Sequence, residues 1–400
     1  MAFVVAVVVN AVGTAACKAE SGPRATAGST TSPVSAPGPN QRSAGPAQAP
    51  AALVDMKLPP PPFAIPVPQE PTSQVAGVDL QTADLESLAA MDVPRDGHRL
   101  ENVYATIYWL YRRAPEARIS AGTVLAQVSA KLHRTDAALY WLQQAAMHEG
   151  LDLDDLEEEV FADVRRDPRW KIFLSYLTSI SEAWRNSGYR RQPVIVPHGY
   201  KVGTPVTALI CLHGLGSRPE DFINGESLQA FADGTGIAVI SMSATKPRGQ
   251  DSFAWSETFE TDWAHVQAGL ALVKDRVTVA RSGNLVVGFS QGAQLGMELA
   301  ASHPEFFAGA IAMSPGYLGG SRLDVAIAGS KKAAAHQTYF VVWYDHEHPK
   351  TIDFAQRGIA SLRAAGARVV SHAYPGRNHT FAPSIDDNFA IWSQVLLEHR

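Results

Sequence analysis

The hydrophobic and polar positions divide the chain into regions with three different patterns. Almost every residue from Ala2 to Ala16 is apolar. Between about residues 80 and 185 the apolar positions recur at helical spacing, as in "TDAALYWLQQAAMHEG". From about Pro193 onward, short continuous apolar runs alternate with longer amphipathic segments. The pattern predicts an apolar leader, a helical region and an alternating α/β region, in that order.

The alternating region predicts a mostly parallel sheet. The stretches "TALICLHG", "IAVISMS", "NLVVGFS", "FAGAIAMSPG", "QTYFVVWY" and "ARVVSHAY" are typical of buried strands, and helical patterns such as "QGAQLGMELAASHP" separate them. Regular strand–helix alternation implies a parallel sheet covered by helices on both faces. Sites in such sheets lie at the carboxyl ends of the strands. We expect an α/β catalytic domain over residues 189–400, preceded by a small all-α domain.

The helical region, residues 79–188, resembles a tetratricopeptide-type helical hairpin. The resemblance rests on "DAALYWLQQAAMHEG" followed by "LEEEVFADVRRDPRWKIFL". It covers one clear repeat, and because stable arrays normally need about three repeats, this unit must lean on its neighbour. A plain helical bundle is the alternative. In either case we expect packing or contact with a protein partner here, not chemistry.

The N-terminal residues 1–17, "MAFVVAVVVNAVGTAAC", predict export. The apolar stretch is too short to span a bilayer comfortably and suits the apolar part of a signal peptide. "TAAC" resembles a bacterial lipobox with Cys17 as the lipidated residue, although Thr14 stands where Leu is usual. Residues 18–78 are rich in Pro, Ala, Ser and Gly, which predicts an extended linker. The expectation is a cell-envelope lipoprotein that touches the membrane by its lipid anchor only; ordinary secretion and a chance apolar start are the alternatives.

Composition narrows the choice of partners. The formal net charge is −5 and no long basic run occurs, which argues against nucleic acid. The two cysteines, Cys17 and Cys211, lie in such different settings that a disulfide framework is not expected. Cys211 lies in the apolar run "TALICLHG", which favours a buried structural thiol.

The stretch "NLVVGFSQGAQLGMELA" carries the strongest chemical signal. Gly288, Ser290 and Gly292 form G-x-S-x-G at the junction of a predicted strand and a predicted helix. This is the nucleophile elbow, in which a strained serine is exposed above the sheet and both flanking positions must be small. The sequence therefore predicts Ser290 as a nucleophile rather than a structural serine.

The same motif predicts where an oxyanion would be stabilised. Such a site needs two backbone N–H groups, one of them on the residue after the nucleophile, Gln291. The second is expected from the loop "HGLGS" after the strand "TALICL", where Leu215 lies between two glycines. We expect Leu215 and Gln291 to supply these donors.

Four stretches in order, "LICLHGLGS", "VVGFSQGAQLGMELA", "VVWYDHEHP" and "YPGRNHTF", resemble the α/β-hydrolase superfamily. Within it they are similar to the phospholipase/carboxylesterase group, which includes acyl-protein thioesterases. The resemblance covers about 200 residues and implies the chain order serine, acid, histidine. Among the thirteen histidines, His379 follows the last predicted strand and precedes the final predicted helix, so it is the expected base.

The orienting acid has two candidates in the loop "DHEHP". In the hydrolases that this region resembles, a glycine ends the strand, two residues follow, and the acid comes next. Tyr344 occupies the glycine position, which favours Glu347. Asp345 fits nearly as well, and Asp is the commoner acid in this role, so it stays as the alternative.

The expected activity is hydrolysis of carboxylic esters through an acyl-enzyme, on a small-molecule or acyl ester substrate and without metal or organic cofactor. Trp255, in "RGQDSFAWSETFETDW", is expected either to line an acyl pocket or simply to pack. Thioester or amide cleavage uses the same groups and remains open. A catalytically silent protein that binds a partner through its helical region is the rival from another class.

Overall fold

The computed structural model describes residues 57–83, 98–113, 121–223, 226–256, 258–316, 322–375 and 379. The predicted signal segment with Cys17, the linker up to residue 56 and the predicted final helix "DNFAIWSQVLLEH" lie outside the described residues.

The described strands, in chain order, are β1 (Gln74–Val75), β2 (Val78–Asp79), β3 (Val194–Ile195), β4 (Pro205–Val206), β5 (Ala208–Leu212), β6 (Ala238–Met242), β7 (Lys246–Gly249), β8 (Ser252–Ala254), β9 (Thr278–Val279), β10 (Asn284–Phe289), β11 (Phe307–Met313), β12 (Thr338–Tyr344) and β13 (Arg368–Tyr374). Seven of these form one sheet in the order β13-β12-β11-β10-β5-β6-β3. All neighbours in it are parallel except β3, which pairs antiparallel with β6. The expectation of a mostly parallel sheet is confirmed.

The described helices, in chain order, are α1 (Arg99–Arg113), α2 (Ala121–Lys131), α3 (Thr135–His148), α4 (Ala162–Arg165), α5 (Trp170–Asn186), α6 (Glu226–Thr235), α7 (Phe259–Leu272), α8 (Gln291–Ser302), α9 (Arg322–Ala334) and α10 (Pro349–Ala364). Short 3₁₀ turns cover Asp154–Glu157, Glu159–Phe161 and Pro219–Phe222. None of the helices within these described ranges is long and apolar enough to cross a bilayer.

Helices cover both faces of the sheet because its strands are apolar on both sides. In β5, Ile210 and Leu212 belong to one buried cluster, and Leu209 and Cys211 to a second. The first cluster includes side chains of α7, α8, α9 and α10, and the second includes side chains of α6. This two-sided burial explains the continuous apolar runs of the sequence.

The order of the strands fixes where a site can form. The chain runs from β5 outward to β6 and later returns to β10 on the other side of β5. Connections that leave in opposite directions open a crevice at the carboxyl ends of β5 and β10. Those two strand ends carry "HGLGS" and "SQG", the two stretches in which the sequence predicts chemistry.

The segment from residue 57 to 83 differs from the extended linker that its composition predicts. Val75 and Leu80 are fully buried, and Phe63 packs against the same apolar cluster. The indole N–H of Trp109 in α1 donates to the carbonyl of Thr72 at 3.2 Å. Some apolar side chains among the prolines therefore contact the helices, which the composition of the segment does not predict.

The helices before the sheet share an aromatic core. Trp141 of α3 is buried, makes edge contacts with Tyr108 and Tyr111 of α1, and donates to the Tyr104 hydroxyl at 3.0 Å. α2 and α3 are antiparallel neighbours joined by a short turn in which His133 has a positive φ of 55°. The described residues before the sheet thus contain the helices α1 to α5, and their division into a separate all-α domain stays a prediction.

Candidate active site

Ser290 lies at the sharp turn between β10 and α8. Its φ of +53° and ψ of −119° are rare for a residue with a side chain. A Cβ on Gly288 would meet the carbonyl oxygen of Gly292 at 2.1 Å, and a Cβ on Gly292 would meet that of Leu212 at 2.0 Å. Both glycines are therefore sterically required, and the turn places Ser290 at the carboxyl end of β10.

His379 stands between the serine and a carboxylate. Its Nε2 lies 2.7 Å from Ser290 Oγ, and its Nδ1 lies 3.1 Å from Glu347 Oε2. The ring also lies against Phe289, with centroids 4.9 Å apart. These contacts join the ends of β10 and β12 through one imidazole, whose two nitrogens face different partners.

Glu347 has a fully buried side chain and a complete set of partners. Its Oε1 accepts hydrogen bonds from the Tyr344 N–H at 3.0 Å and from the Ser314 hydroxyl. Ser314, at the end of β11, is buried and has a φ of +48°. This contact of Ser314 was not predicted from the sequence; the available signal is a small polar residue directly after a buried strand, in "IAMSPG".

Asp345, the alternative acid, points elsewhere. Its side chain is about half exposed, and a carboxylate oxygen lies 3.8 Å from the ring Nε2 of His346. Its backbone N–H donates to the carbonyl of Tyr374 at 3.0 Å. Of the two candidate acids, the structure brings only Glu347 to His379.

The two predicted oxyanion donors flank the serine. Gln291 is the first residue of α8, where N–H groups have no partner within the helix. Leu215 lies in the loop after β5 and its side chain is exposed. A Cβ on Gly214 would lie 3.3 Å from Ser290 Cβ, so this loop passes directly beside Ser290.

Trp255 is packed inside the protein, which is the second of the two alternatives that the sequence left open for it. It is only 2% exposed, and its indole N–H donates to the carbonyl of His213 at 2.9 Å. Its backbone N–H and carbonyl bind the side-chain amide of Gln291 at 3.2 and 3.4 Å. Trp255 thus connects the loop after β5 to the start of α8. Its indole N–H binds the His213 carbonyl because a buried N–H needs a hydrogen-bond partner.

His213 is a buried organiser of the same loop. Its Nε2 accepts from the Ala244 N–H at 3.1 Å, which leaves Nδ1 to donate to the Gly214 carbonyl at 2.7 Å. Burial lowers the pKa of the imidazole from 6.5 to about 4. At neutral pH the ring is therefore uncharged. Its two hydrogen bonds join the loop after β5 to Ala244, which follows β6, so its role is structural.

This burial predicts a pH dependence of stability. The unfolded chain binds a proton near pH 6.5 that the folded protein takes up only near pH 4, so the free energy of unfolding falls as the pH drops through this window. His213 alone accounts for about 2 kcal/mol between pH 7 and pH 5. Urea unfolding at both pH values should show a smaller fall in the free energy of unfolding for His213→Asn than for the wild type. An equal fall in the two proteins would contradict the assignment.

The arrangement suits nucleophilic acyl transfer. It combines a hydroxyl, an imidazole within hydrogen-bond reach and an acid that fixes the imidazole, which is the combination that activates a serine. The helix that starts after the serine also favours negative charge beside it. Within the described ranges, no three His, Cys, Asp or Glu side chains cluster as metal ligands would.

Comparison with known proteins agrees with this chemistry. Residues 188–321 match the family described as "Putative esterase". The probable feruloyl esterase C of Aspergillus flavus is 26% identical over 164 residues, covering 37% of this chain and 60% of that protein. The feruloyl esterase C of Emericella nidulans is 26% identical over 125 residues, covering 31% of this chain and 46% of that protein. This chain thus spans at most 60% of the length of these relatives.

Solved structures with a similar arrangement include esterase PE8, at 20% identity and a TM-score of 0.43, covering 52% of this chain and 99% of that one. The Zea mays acyl-protein thioesterase 2 has 20% identity and a TM-score of 0.39, covering 52% of this chain and all of that one. Both TM-scores are below 0.5, so neither likeness bears on the activity. The matched family and both fungal relatives are described as esterases.

Proposed function

We propose that this protein is a serine hydrolase that cleaves carboxylic esters through an acyl-enzyme. The observation that carries the proposal is the unbroken hydrogen-bonded series from Ser290 Oγ through His379 to Glu347. It lies at the carboxyl ends of three strands of a parallel sheet, where such sheets bind ligands. The esterase match of residues 188–321 supports the same activity.

The reaction follows from the roles of these groups. Ser290 Oγ attacks the ester carbonyl carbon while His379 Nε2 takes the hydroxyl proton, and Glu347 stabilises the imidazolium that forms. The carbonyl oxygen gains negative charge and accepts from the Leu215 and Gln291 amides. His379 then gives its proton to the departing alcohol. Water attacks the acyl-enzyme by the same route, with His379 again the base, and releases the acid.

The substrate class is proposed as small-molecule esters, including phenolic-acid esters of the kind that the feruloyl esterase relatives are named for. The same groups would cleave thioesters or amides. A panel of p-nitrophenyl acetate, p-nitrophenyl butyrate, methyl ferulate, an acyl thioester and a p-nitroanilide separates these outcomes. We expect turnover of at least one ester above that of the thioester and the anilide. Faster thioester cleavage would make the protein a thioesterase, and a folded protein inert on the whole panel would favour a silent binding protein.

We further propose the division of the chain made from the sequence, with residues 189–400 as the catalytic domain and residues 79–188 as a tetratricopeptide-like helical unit. The antiparallel pair α2 and α3 and the following α5 support the helical unit. A protein partner for it is part of the proposal; nucleic acid is not.

The N-terminal pattern supports export with Cys17 as a lipid-bearing residue. Expressed in a bacterium with a functional start, the protein should incorporate labelled palmitate and partition into detergent. Cys17→Ala should release it to the aqueous phase, whereas Cys211→Ala, which changes a buried thiol, should keep the label. If the wild type carries no lipid, the proposal for Cys17 is wrong, and the protein is either secreted or retained in the cell.

A further inference from the structure

The helical region meets the rest of the protein at the hairpin of β7 and β8. The Asp251 N–H donates to the carbonyl of His148, the last residue of α3, at 3.0 Å. The Gln250 N–H donates to the Met147 carbonyl at 3.2 Å, and Gln250 Oε1 lies 2.9 Å from His148 Nδ1. The hairpin turn therefore satisfies carbonyls at the end of α3 that have no partner within the helix.

Gly249 and Gly150 allow the backbone of the hairpin to approach the backbone at the end of α3. A Cβ on Gly249 would meet the carbonyl carbon and oxygen of His148 at 2.6 Å. Gly150 has a φ of +76°, and a Cβ there would meet Arg248 Cβ at 2.3 Å. Neither position accepts a side chain without moving the helix away from the hairpin.

The same hairpin holds the loop that carries Leu215. The Gly216 N–H donates to the Phe253 carbonyl at 2.9 Å, and the Phe253 N–H donates to the Ser217 carbonyl at 3.1 Å. On the other side of Leu215, the Gly214 carbonyl accepts from His213 Nδ1. Leu215 thus lies between two residues with hydrogen-bonded backbones. Gly214 is bonded to the His213 ring, and Gly216 is bonded to Phe253 of β8.

A partly buried ion pair joins the turn of the hairpin to Arg191, which follows the helical region in the chain. Both terminal nitrogens of Arg191 lie 3.2 Å from Asp251 Oδ1, and the Arg191 side chain is 10% exposed. Its guanidinium also lies over the rings of Tyr189 and Phe253, at 5.6 and 5.5 Å from their centroids. Arg191 therefore contacts the hairpin at two points, the Asp251 carboxylate in the turn and the Phe253 ring in β8.

We propose that the helical region positions the oxyanion loop through this hairpin, with Gly249 and Gln250 as positioning residues. This gives the helical region a role in the reaction that is independent of any protein partner. The inference rests on the proposed function, because the loop matters only if the Leu215 amide binds an oxyanion. A displaced loop would weaken binding of the tetrahedral state and leave binding of the uncharged ester unchanged.

The test uses the full chain with Gly249→Ala and with Gln250→Ala, which removes the side-chain contact with His148. Gly234→Ala is the matched control, because a Cβ there meets nothing within 4 Å. The concentration of active sites is first counted with a fluorophosphonate. We then measure kcat and KM on p-nitrophenyl acetate, and inhibition by an aliphatic trifluoromethyl ketone, which adds to a serine as a tetrahedral oxyanion. Removing one oxyanion donor costs roughly 10²- to 10³-fold in kcat, so displacement of the loop should cost at least about tenfold.

We expect both variants to lose about tenfold in kcat per active site and in ketone affinity, with KM within about twofold of the wild type, while Gly234→Ala is unchanged. Variants that melt earlier but keep wild-type kcat and ketone affinity would overturn the inference, because the contact would then be structural only. Gln250→Ala removes only a side chain at the hairpin turn and serves if Gly249→Ala does not fold. An inactive wild type would overturn the proposed function as well, whereas an active wild type with unchanged variants overturns this inference alone.

Discussion

Ser290→Ala is expected to abolish ester hydrolysis without unfolding the protein. The hydroxyl is the only group in the proposed mechanism that bonds to the substrate, and the loss of a serine nucleophile costs roughly 10⁶-fold in kcat. Alanine fits the space, although it keeps the strained φ of +53° at this turn. The rate on the best ester of the panel, measured with purified protein whose circular dichroism matches the wild type, checks the prediction.

Ser179→Ala provides the matched control for this variant. Ser179 is an exposed helical serine whose hydroxyl donates to the carbonyl of Ser175. It should keep full activity. If the folded Ser290→Ala protein turns over within tenfold of the wild type, the serine mechanism is wrong.

Glu347→Gln should lower kcat steeply and leave KM nearly unchanged. The carboxylate lies 3.1 Å from His379 Nδ1 and is itself held by Tyr344 N–H and the Ser314 hydroxyl. An amide in its place does not stabilise the imidazolium, and the corresponding change in a serine protease costs about 10⁴-fold. Steady-state kinetics on the same ester measures both constants.

Asp345→Asn is the built-in control, since it alters a carboxylate in the same loop that is about half exposed. A solvated neighbour should matter by less than about tenfold. A steep loss in Asp345→Asn with a silent Glu347→Gln would exchange the two roles. If neither variant loses activity, the pair of Ser290 and His379 must act without an orienting acid.

The sequence predicts the residues of a local motif in this site better than the contacts between residues far apart in the chain. The pair Gly288 and Gly292 around Ser290 is a local steric requirement, so a short stretch of sequence predicts it. The choice between Glu347 and Asp345 depends on which carboxylate turns inward, and the sequence could only favour Glu347 through a resemblance. Ser314 acts on Glu347 across 33 residues of chain, a contact that arises only when β11 and β12 pair.

Burial was harder to predict where composition and packing disagree. Trp255 stands among polar residues in a connection, yet its indole binds the His213 carbonyl and its backbone binds Gln291. Residues 57–78 have the composition of a linker, but a few apolar side chains such as Phe63 find a place on the helical core. In both cases the deciding contacts join residues far apart in the sequence, and a local pattern does not contain them.

Labelling of the wild type with a fluorophosphonate tests the central claim most directly, because the reagent reacts only with a serine that a base has activated. The account predicts one adduct per chain by intact mass. It also predicts that the labelled peptide carries Ser290 and that ester hydrolysis is lost in proportion to labelling. A folded wild type that takes up no label and hydrolyses no ester, or one whose activity survives complete labelling of Ser290, would contradict it.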